Sequence, residues 1–260
     1  MPSARSDVPP STREASASGL PRCERRAWDS DFFGVSIAQI DRTRLDAAGL
    51  SAAVRCARDA SIACLYFLAD ADHDESIRAA EANRFALIDV RITLERLVPA
   101  DIGVNVDRAR IREALPGDVP ALQSIARVSH RNTRFHRDPR FAPERSDELY
   151  AVWIARSVAG ELADAVWVAD VDGAPRGYLT ASRRPDGAAI GLVAVDADMR
   201  GRGCGEHLVR AALGWTAGAG LGRISVVTQG HNADAVRFYE RAGFATSRVQ
   251  LWYHRWLSDD

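Results

Sequence analysis

The spacing of apolar and polar positions in the first half of the chain predicts a short series of helices and strands. The segment GLSAAVRCARDASIA has the roughly 3.6-residue apolar spacing of an amphipathic helix, and CLYFLAD after it is typical of a buried strand. DESIRAAEANRFALIDV then predicts a helix, a turn and a strand that RITLERLV continues. Before these, the aromatic and β-branched stretch WDSDFFGVSIAQI predicts a turn that enters a strand. Together these segments predict a small α/β unit.

The second half of the chain has a different order of elements. ARIREALPGDVPALQSIARVSH predicts a strand, a turn and a helix that begins after Asp118, and DELYAVWIARSVAG is helical in pattern. Three alternating segments follow, joined by DG turns at Asp172–Gly173 and Asp186–Gly187. A glycine-rich loop, a helix, a strand, a second helix ended by Gly243 and a last strand complete the pattern.

Two stretches without apolar periodicity divide these elements. Residues 1–22 are rich in Ser, Pro, Ala and Arg and have no apolar core, which favours a disordered tail over a secretory signal. The stretch PADIGVNVD has turn-forming residues without a period and predicts a linker. We therefore expect a tail over 1–22, a small N-terminal α/β domain over 23–100 and a larger domain over 108–260.

Composition and charge exclude several classes of function. A net charge of -1 and a pI near 6.6 argue against a nucleic-acid partner, which requires a basic excess. No apolar run approaches the roughly 20 residues that span a bilayer. All 34 Lys and Arg side chains are arginine, so lysine chemistry is excluded. The cysteines form no CxxC pair and the histidines have no ligand spacing, so we expect a cytoplasmic protein with reduced thiols, no metal and no membrane partner.

The stretch VDADMRGRGCGEHL lies between an apolar strand and a helix and predicts an anion site. Glycines let backbone N–H groups approach an anion, and a helix N-terminus adds unpaired donors. A P-loop requires a lysine, which the chain lacks, and the dinucleotide pattern GxGxxG lacks its third glycine here. No acidic residue ends RISVVTQ, as that pattern also requires. A glycine-rich turn that binds nothing remains an alternative.

The order of parts around this loop resembles the GNAT family of acyl-CoA N-acyltransferases. Three strands precede the pattern Arg200-x-x-Gly203-x-Gly205, and a helix and a strand follow it. Asn232, Phe238-Tyr239 and Gly243-Phe244 then come in the family's order. The resemblance implies a mixed α/β (α+β) GNAT fold: a central mixed sheet flanked by helices, here preceded by the small N-terminal α/β domain. Ala197 departs from the proline that many members have.

The resemblance also implies acetyl-CoA as co-substrate, without a metal. The backbone of Leu192 to Val195 would pair with the pantetheine arm, and an N–H of Ala194 or Val195 would polarise the thioester carbonyl. Backbone N–H groups of the loop would hold the pyrophosphate, and Arg202 could meet the 3′-phosphate. The expected cofactor-binding residues are Leu192, Val193, Ala194, Val195, Arg200, Gly201, Arg202, Gly203, Cys204, Gly205, Glu206, Asn232 and Phe238.

Tyr239 is the expected catalytic acid, because a tyrosine in this place protonates the departing thiolate in the family. A phenol with a pKa of about 10 stays protonated at neutral pH and can donate as charge develops on sulfur. The alternative is a tyrosine that only packs between helix and sheet. No position marks the general base, and His130, His136, Asp138 and Glu161 all remain candidates.

Two further stretches, WDSDFFGVSIAQI and TRFHRDPRFAPERSDELYAVWIARS, resemble the nucleotide-sugar branch of the family. That branch acetylates the 4-amine of dTDP-4-amino-4,6-dideoxygalactose (dTDP-fucosamine). Arg134, Phe135 and Tyr178 are expected to bind the substrate, with Thr133, Phe135 and Tyr178 lining the sugar pocket. A local set of arginines suits a nucleotide diphosphate, although a solvated basic surface is the alternative. Its members are Arg127, Arg131, Arg134, Arg137, Arg140 and Arg145.

We therefore expect an acetyl-CoA-dependent N-acetyltransferase whose small-molecule acceptor is a nucleotide-activated amino sugar. The alternatives are an acetyltransferase for another small-molecule or protein amine, and a non-catalytic module that binds acyl-CoA as a sensor. Tyr239 favours the enzyme, since a sensor has no need of an acid for the thiolate. A homodimer is expected from the resemblance alone.

Overall fold

The computed structural model describes residues 20–103 and 110–259. Residues 1–19 of the predicted tail over 1–22, residues 104–107 of the predicted linker, and residues 108, 109 and 260 of the predicted larger domain lie outside these ranges. The strands are β1 Cys23–Arg25, β2 Ile37–Ile40, β3 Cys64–Asp70, β4 Ala86–Leu97, β5 Ile111–Glu113, β6 Ala165–Val171, β7 Ala174–Arg184, β8 Gly187–Val195, β9 Arg223–Gln229 and β10 Ala245–Trp256. The helices are α1 Ala27–Phe33, α2 Ala47–Asp59, α3 Asp74–Ala82, α4 Val119–Ser129, α5 Arg134–Arg137, α6 Pro143–Val158, α7 Cys204–Gly218 and α8 Ala233–Arg241.

The described strands form one sheet in the order β1-β2-β3-β10-β4-β9-β8-β7-β6-β5. Pairing is antiparallel except between β2 and β3 and between β8 and β9, which are parallel. The predicted mixed sheet flanked by helices is confirmed. The last strand, β10, lies between β3 and β4, so strands of both expected domains share this sheet. The domain bounds themselves stay a prediction.

Helices cover both faces of the sheet, which explains the unbroken apolar run of β3. Leu65 and Phe67 of β3 pack in a core with side chains of α2 and α3. The alternate residues Tyr66 and Leu68 pack on the other face with α4 and α6. A third core lies between α7 and the strands β6 to β9. No helix in the described part of the chain is long and apolar enough to cross a membrane.

The aromatic stretch before β2 differs from its prediction. Instead of a turn, Ala27–Phe33 form helix α1, which ends at Gly34 with a φ of 68°. Trp28 stacks on Phe32 one helical turn later, with ring centroids 4.9 Å apart. Phe33 packs against Phe135 and thereby joins α1 to α5. The aromatic side chains therefore stabilise a helix by tertiary packing, whereas the predicted strand follows as β2.

Candidate active site

Strands β8 and β9 separate after a short parallel ladder. Only three residue pairs connect them, from Ala188↔Ile224 to Ile190↔Val226. Beyond these pairs, β8 bonds only to β7 up to Val195, and β9 bonds only to β4 up to Gln229. The edge of β8 that faces β9 is therefore left without a strand partner from Gly191 onward. An extended substrate arm can pair with such an edge as an added strand would.

A bulge in β8 accompanies this separation. The register between β7 and β8 shifts between Leu179 and Ala181, where β8 carries one extra residue. The Leu192 N–H donates to the Thr180 hydroxyl at 2.8 Å and is therefore satisfied at a buried position. A bulge bends its strand, so this hydrogen bond holds the bend that turns β8 away from β9.

The glycine-rich loop connects the end of β8 to the start of α7. Gly201 and Gly203 have φ values of 73° and 83°, a region that disfavours residues with a Cβ. Gly203 is the N-cap of α7, and no side chain caps the helix there. The first N–H groups of α7 are therefore open to a ligand, since a helix leaves its first four N–H groups without internal partners. Arg200 Nε donates to the Val195 carbonyl oxygen at 3.2 Å and ties the loop to β8.

Helix α8 brings the second predicted group of residues to the same place. The Asn232 side chain caps α8 by accepting from the Ala235 N–H at 3.2 Å. A Cβ on Gly205 would lie 3.3 Å from the Phe238 ring, so α8 packs directly on the first turn of α7. Tyr239, the next residue, is buried and contacts the rings of Phe238 and Phe244.

A cavity of about 740 Å³ opens between the parted strands and extends across the sheet towards β10 and α1. Four residues predicted to bind acetyl-CoA or to protonate its thiolate line it, namely Leu192, Val193, Asn232 and Tyr239. The glycine loop from Arg200 to Glu206 is not part of its wall and lies at the surface beside it. The structure thus places an uncapped helix start, an open strand edge and a buried phenol next to one cavity.

Comparison with known proteins agrees with this arrangement. The model of the acetyltransferase (GNAT) family matches residues 128–244, which include the parted strands, the loop and α8. Residues 128–244 form a GNAT acetyltransferase domain. Sequence similarity to individual proteins extends beyond these residues.

A dTDP-fucosamine acetyltransferase of Escherichia coli is 28% identical over 243 residues, which is 89% of this chain and 97% of that protein. The spore coat polysaccharide biosynthesis protein SpsD of Bacillus subtilis is 30% identical over 141 residues, or 54% of this chain. That match spans 48% of SpsD, about half its length. A GCN5-related N-acetyltransferase from Sphaerobacter thermophilus, 15% identical, shares the fold with a TM-score of 0.62 over 90% of this chain and 75% of that one.

Burial keeps Tyr239 of the GNAT domain protonated. The residue is 6% exposed, and desolvation raises the pKa of the phenol well above its ordinary value. The hydroxyl therefore remains a proton donor across the whole neutral range. Packing and acid chemistry are compatible here, because the same side chain is buried and lines the cavity.

Of the four candidate bases, only His130 lines the cavity of the GNAT domain. Its Nε2 is 2.8 Å from the Tyr178 hydroxyl, and burial lowers its pKa to about 4. His136 bonds to the Asp147 carboxylate, and Asp138 bonds to His254 inside the protein. Glu161 pairs with Arg156 on the surface. No candidate combines access with strong basicity, so the base stays unassigned.

The arginines expected to form one basic cluster are mostly dispersed. Arg127 and Arg131 pair with Glu148 and Asp147. Of the six, only Arg134 lines the cavity, where its guanidinium pairs with the buried Asp29 carboxylate at 3.3 Å. The prediction of a diphosphate cluster from these neighbouring positions was therefore wrong for the others, because local partners and distant backbone groups engage them.

The two remaining predicted substrate residues differ in their placement. Phe135 lines the cavity, although it is only 2% exposed. Tyr178 is fully buried in β7 beneath His130 and is not among the residues that line the cavity. Tyr178 can therefore act only through His130, to which it hydrogen-bonds.

Sequence reasoning missed a group of polar residues that line the same cavity from the other side. Asp89, Arg91, Thr93 and Glu95 alternate along β4 and all face it. Arg248 and Gln250 of the neighbouring β10 face it as well. The alternation of polar residues in DVRITLE was visible in the sequence, but it is equally typical of a strand face in solvent. Only strand pairing identifies it as a cavity wall.

The lowered pKa of His130 makes stability depend on pH. In the unfolded chain, a histidine with a pKa near 6.5 becomes protonated below that pH. In the folded protein, His130 stays neutral down to about pH 4. The contribution of neutral His130 to the free energy of unfolding is therefore fully present above pH 6.5 and is lost as the pH falls below it. Between about pH 7.5 and 5, we expect the free energy of unfolding of His130→Gln to fall by about 2 kcal/mol less than that of the wild type, measured by urea unfolding. His254, similarly shifted, leaves a residual slope in both proteins. Equal slopes would contradict a neutral His130 in the folded protein.

Proposed function

We propose that the chain transfers an acetyl group from acetyl-CoA to the amine of a nucleotide-linked amino sugar of the dTDP-4-amino-4,6-dideoxyhexose type. Acetyl transfer is supported by one arrangement: the open edge of β8 lies beside the uncapped start of α7 and the buried Tyr239. The acceptor class is supported by similarity to the dTDP-fucosamine acetyltransferase over 89% of the chain.

The donor fits the residues that surround the parted strands. The pantetheine arm contains amide groups that pair with the free backbone edge of Leu192 to Val195, as an added strand does. The pyrophosphate finds N–H groups and the positive end of the helix dipole between Arg200 and Glu206. The positive φ values of Gly201 and Gly203 let the backbone approach these oxygens closely.

The chemistry is a direct attack of a neutral amine on the thioester carbonyl. The amine nitrogen forms a bond to the acetyl carbon, the bond from that carbon to sulfur breaks, and the amine loses one proton to solvent or a base. The N–H of Ala194 or Val195 stabilises the charge on the carbonyl oxygen. The Tyr239 hydroxyl donates its proton to the departing thiolate and takes up a proton from solvent afterwards. The products are the acetamido sugar and free coenzyme A.

The cavity provides space and surfaces for a large acceptor. Its volume of about 740 Å³ lies within the common range of roughly 300–1,000 Å³ for sites that hold small molecules. Aromatic rings of Trp28, Phe135 and Trp153 line the end beyond the parted strands and suit the apolar faces of a sugar or a base. Arg134 adds a cation that its aromatic neighbours hold in place.

Turnover with defined acceptors tests the proposal directly. We expect acetyl-CoA and dTDP-4-amino-4,6-dideoxygalactose to release free thiol and yield the N-acetyl product by mass spectrometry. Acetyl transfer to other amines alone would overturn the acceptor and keep the transferase. Tight binding of acetyl-CoA without transfer to any amine would identify a sensor instead.

Tyr239→Phe removes the proposed acid and keeps the packing of the ring. We expect kcat to fall by about 10²-fold, because the thiolate must then leave without a proton donor, while acetyl-CoA binding is little changed. Tyr253→Phe, at another buried tyrosine outside the cavity wall, is the control and should keep full activity. An unchanged kcat for Tyr239→Phe would assign the residue to packing.

Gly203→Val tests the loop as the pyrophosphate site. The substitution adds a branched side chain at a positive φ, where the backbone must approach the phosphate oxygens, and we expect acetyl-CoA binding to be lost in calorimetry. Gly220→Val matches the backbone strain, with a φ of 70°, but lies at the other end of α7. The control should bind acetyl-CoA normally. Equal affinity of both variants would reject the loop.

A further inference from the structure

The wall of the cavity carries an excess of positive charge. Among the described residues, seven arginines but only three carboxylates line it, in a chain whose net charge is -1. Glu95 is 3.4 Å from Arg223, and Asp29 behind the wall pairs with Arg134. Arginines therefore outnumber carboxylates in the wall, and Arg91 of β4 lies among them.

Arg91 is held in place by a neutral group. Its Nη1 donates to the Gln250 Oε1 at 3.1 Å across the β4–β10 ladder. The Gln250 Nε2 in turn donates to the Asp70 Oδ1 at 3.0 Å, which fixes the amide with its oxygen towards Arg91. Within the part of the chain described by the structure, Arg91 forms no ion pair. The guanidinium is thus positioned but not neutralised.

The charged neighbours that act on Arg91 are themselves arginines. Burial first, and then the charges of Arg248 and Arg134, lower the pKa of Arg91 to about 10. At neutral pH all three remain protonated, so three cations face one another at one end of the cavity. Arg134 already pairs with Asp29, but Arg91 has no carboxylate partner in the described ranges, and a cation held beside other cations away from water is unfavourable unless an anion neutralises it. The arrangement is therefore suited to a multiply charged anion.

We propose that Arg91 binds the diphosphate of the acceptor, together with Arg248 of β10 and Arg134 of α5 at the same end of the cavity. This inference rests on the proposed function and specifies which residues recognise the nucleotide-linked class of acceptor. Guanidinium groups pair with phosphate oxygens through two parallel hydrogen bonds, and the Gln250 contact leaves Arg91 further N–H groups for that purpose.

The phosphates of the donor, acetyl-CoA, have a separate proposed site at the glycine loop. In the sheet order, β4 lies two strands from β8, which corresponds to about 10 Å. The glycine loop follows β8 and lies outside the cavity wall. An anion at Arg91 and the pyrophosphate at the loop can therefore be bound at the same time, with the reacting groups between them near Tyr239.

Calorimetry without turnover separates the two phosphate sources. We expect dTDP to bind the wild-type protein and inorganic pyrophosphate to compete with it. Arg91→Gln should weaken dTDP binding by tenfold or more and leave acetyl-CoA binding unchanged. Arg127→Gln is the matched control, because this arginine pairs with Glu148 and does not line the cavity. It should bind dTDP like the wild type.

Thermal unfolding checks that Arg91→Gln acts on binding and not on folding. The unliganded variant should unfold at the wild-type temperature or above, since one of three mutually repelling cations is gone, but dTDP should no longer raise that temperature. Equal dTDP affinity in Arg91→Gln and the wild type, or loss of acetyl-CoA binding in Arg91→Gln, would overturn the assignment. If the wild type binds no dTDP, the diphosphate site is wrong, and turnover with unphosphorylated amino sugars then shows whether acetyl transfer stands without it.

Discussion

The parting of β8 from β9 is the constraint on which the rest of the site depends. It begins where the parallel ladder stops at Ile190, and the buried hydrogen bond from the Leu192 N–H to the Thr180 hydroxyl holds the bulge that bends β8 away. If β8 and β9 were paired along their whole length, their backbone groups would hydrogen-bond to each other and leave no free edge for a substrate arm. The cavity and the exposure of Tyr239 to it both follow from this one separation.

The opposite wall of the cavity comes from long-range strand pairing. Strand β10 inserts between β3 and β4, so residues 159 positions apart become neighbours, as Arg91 and Gln250 do. Helix α1 and the buried pair of Asp29 and Arg134 close the same end. The N-terminal elements therefore contribute a wall of this cavity, so the proposed acceptor end of the site includes a part of the chain outside residues 128–244.

Local features were predictable because their causes are local. The order of strands and helices, the Asn232 cap and the positive φ at Asp172 and Gly173 in the predicted DG turn all follow from residues within a few positions of each other. Helix α1 was missed for the opposite reason, since the packing of Phe33 on Phe135 stabilises it from about one hundred residues away. Its aromatic composition by itself favours a strand.

The sequence by itself determined the glycine loop, its place between a strand and a helix, and the order of parts typical of an acyl-CoA transferase. Tertiary structure alone decided which charges face the cavity. The arginines between Arg127 and Arg145 looked like a cluster, yet most are neutralised or turned outward by their partners, whereas Arg91 and Arg248, 157 positions apart, meet over one face of the sheet. Charge in a sequence is counted residue by residue, but its effect depends on burial and on the nearest opposite charge, and both are set by pairing between distant strands.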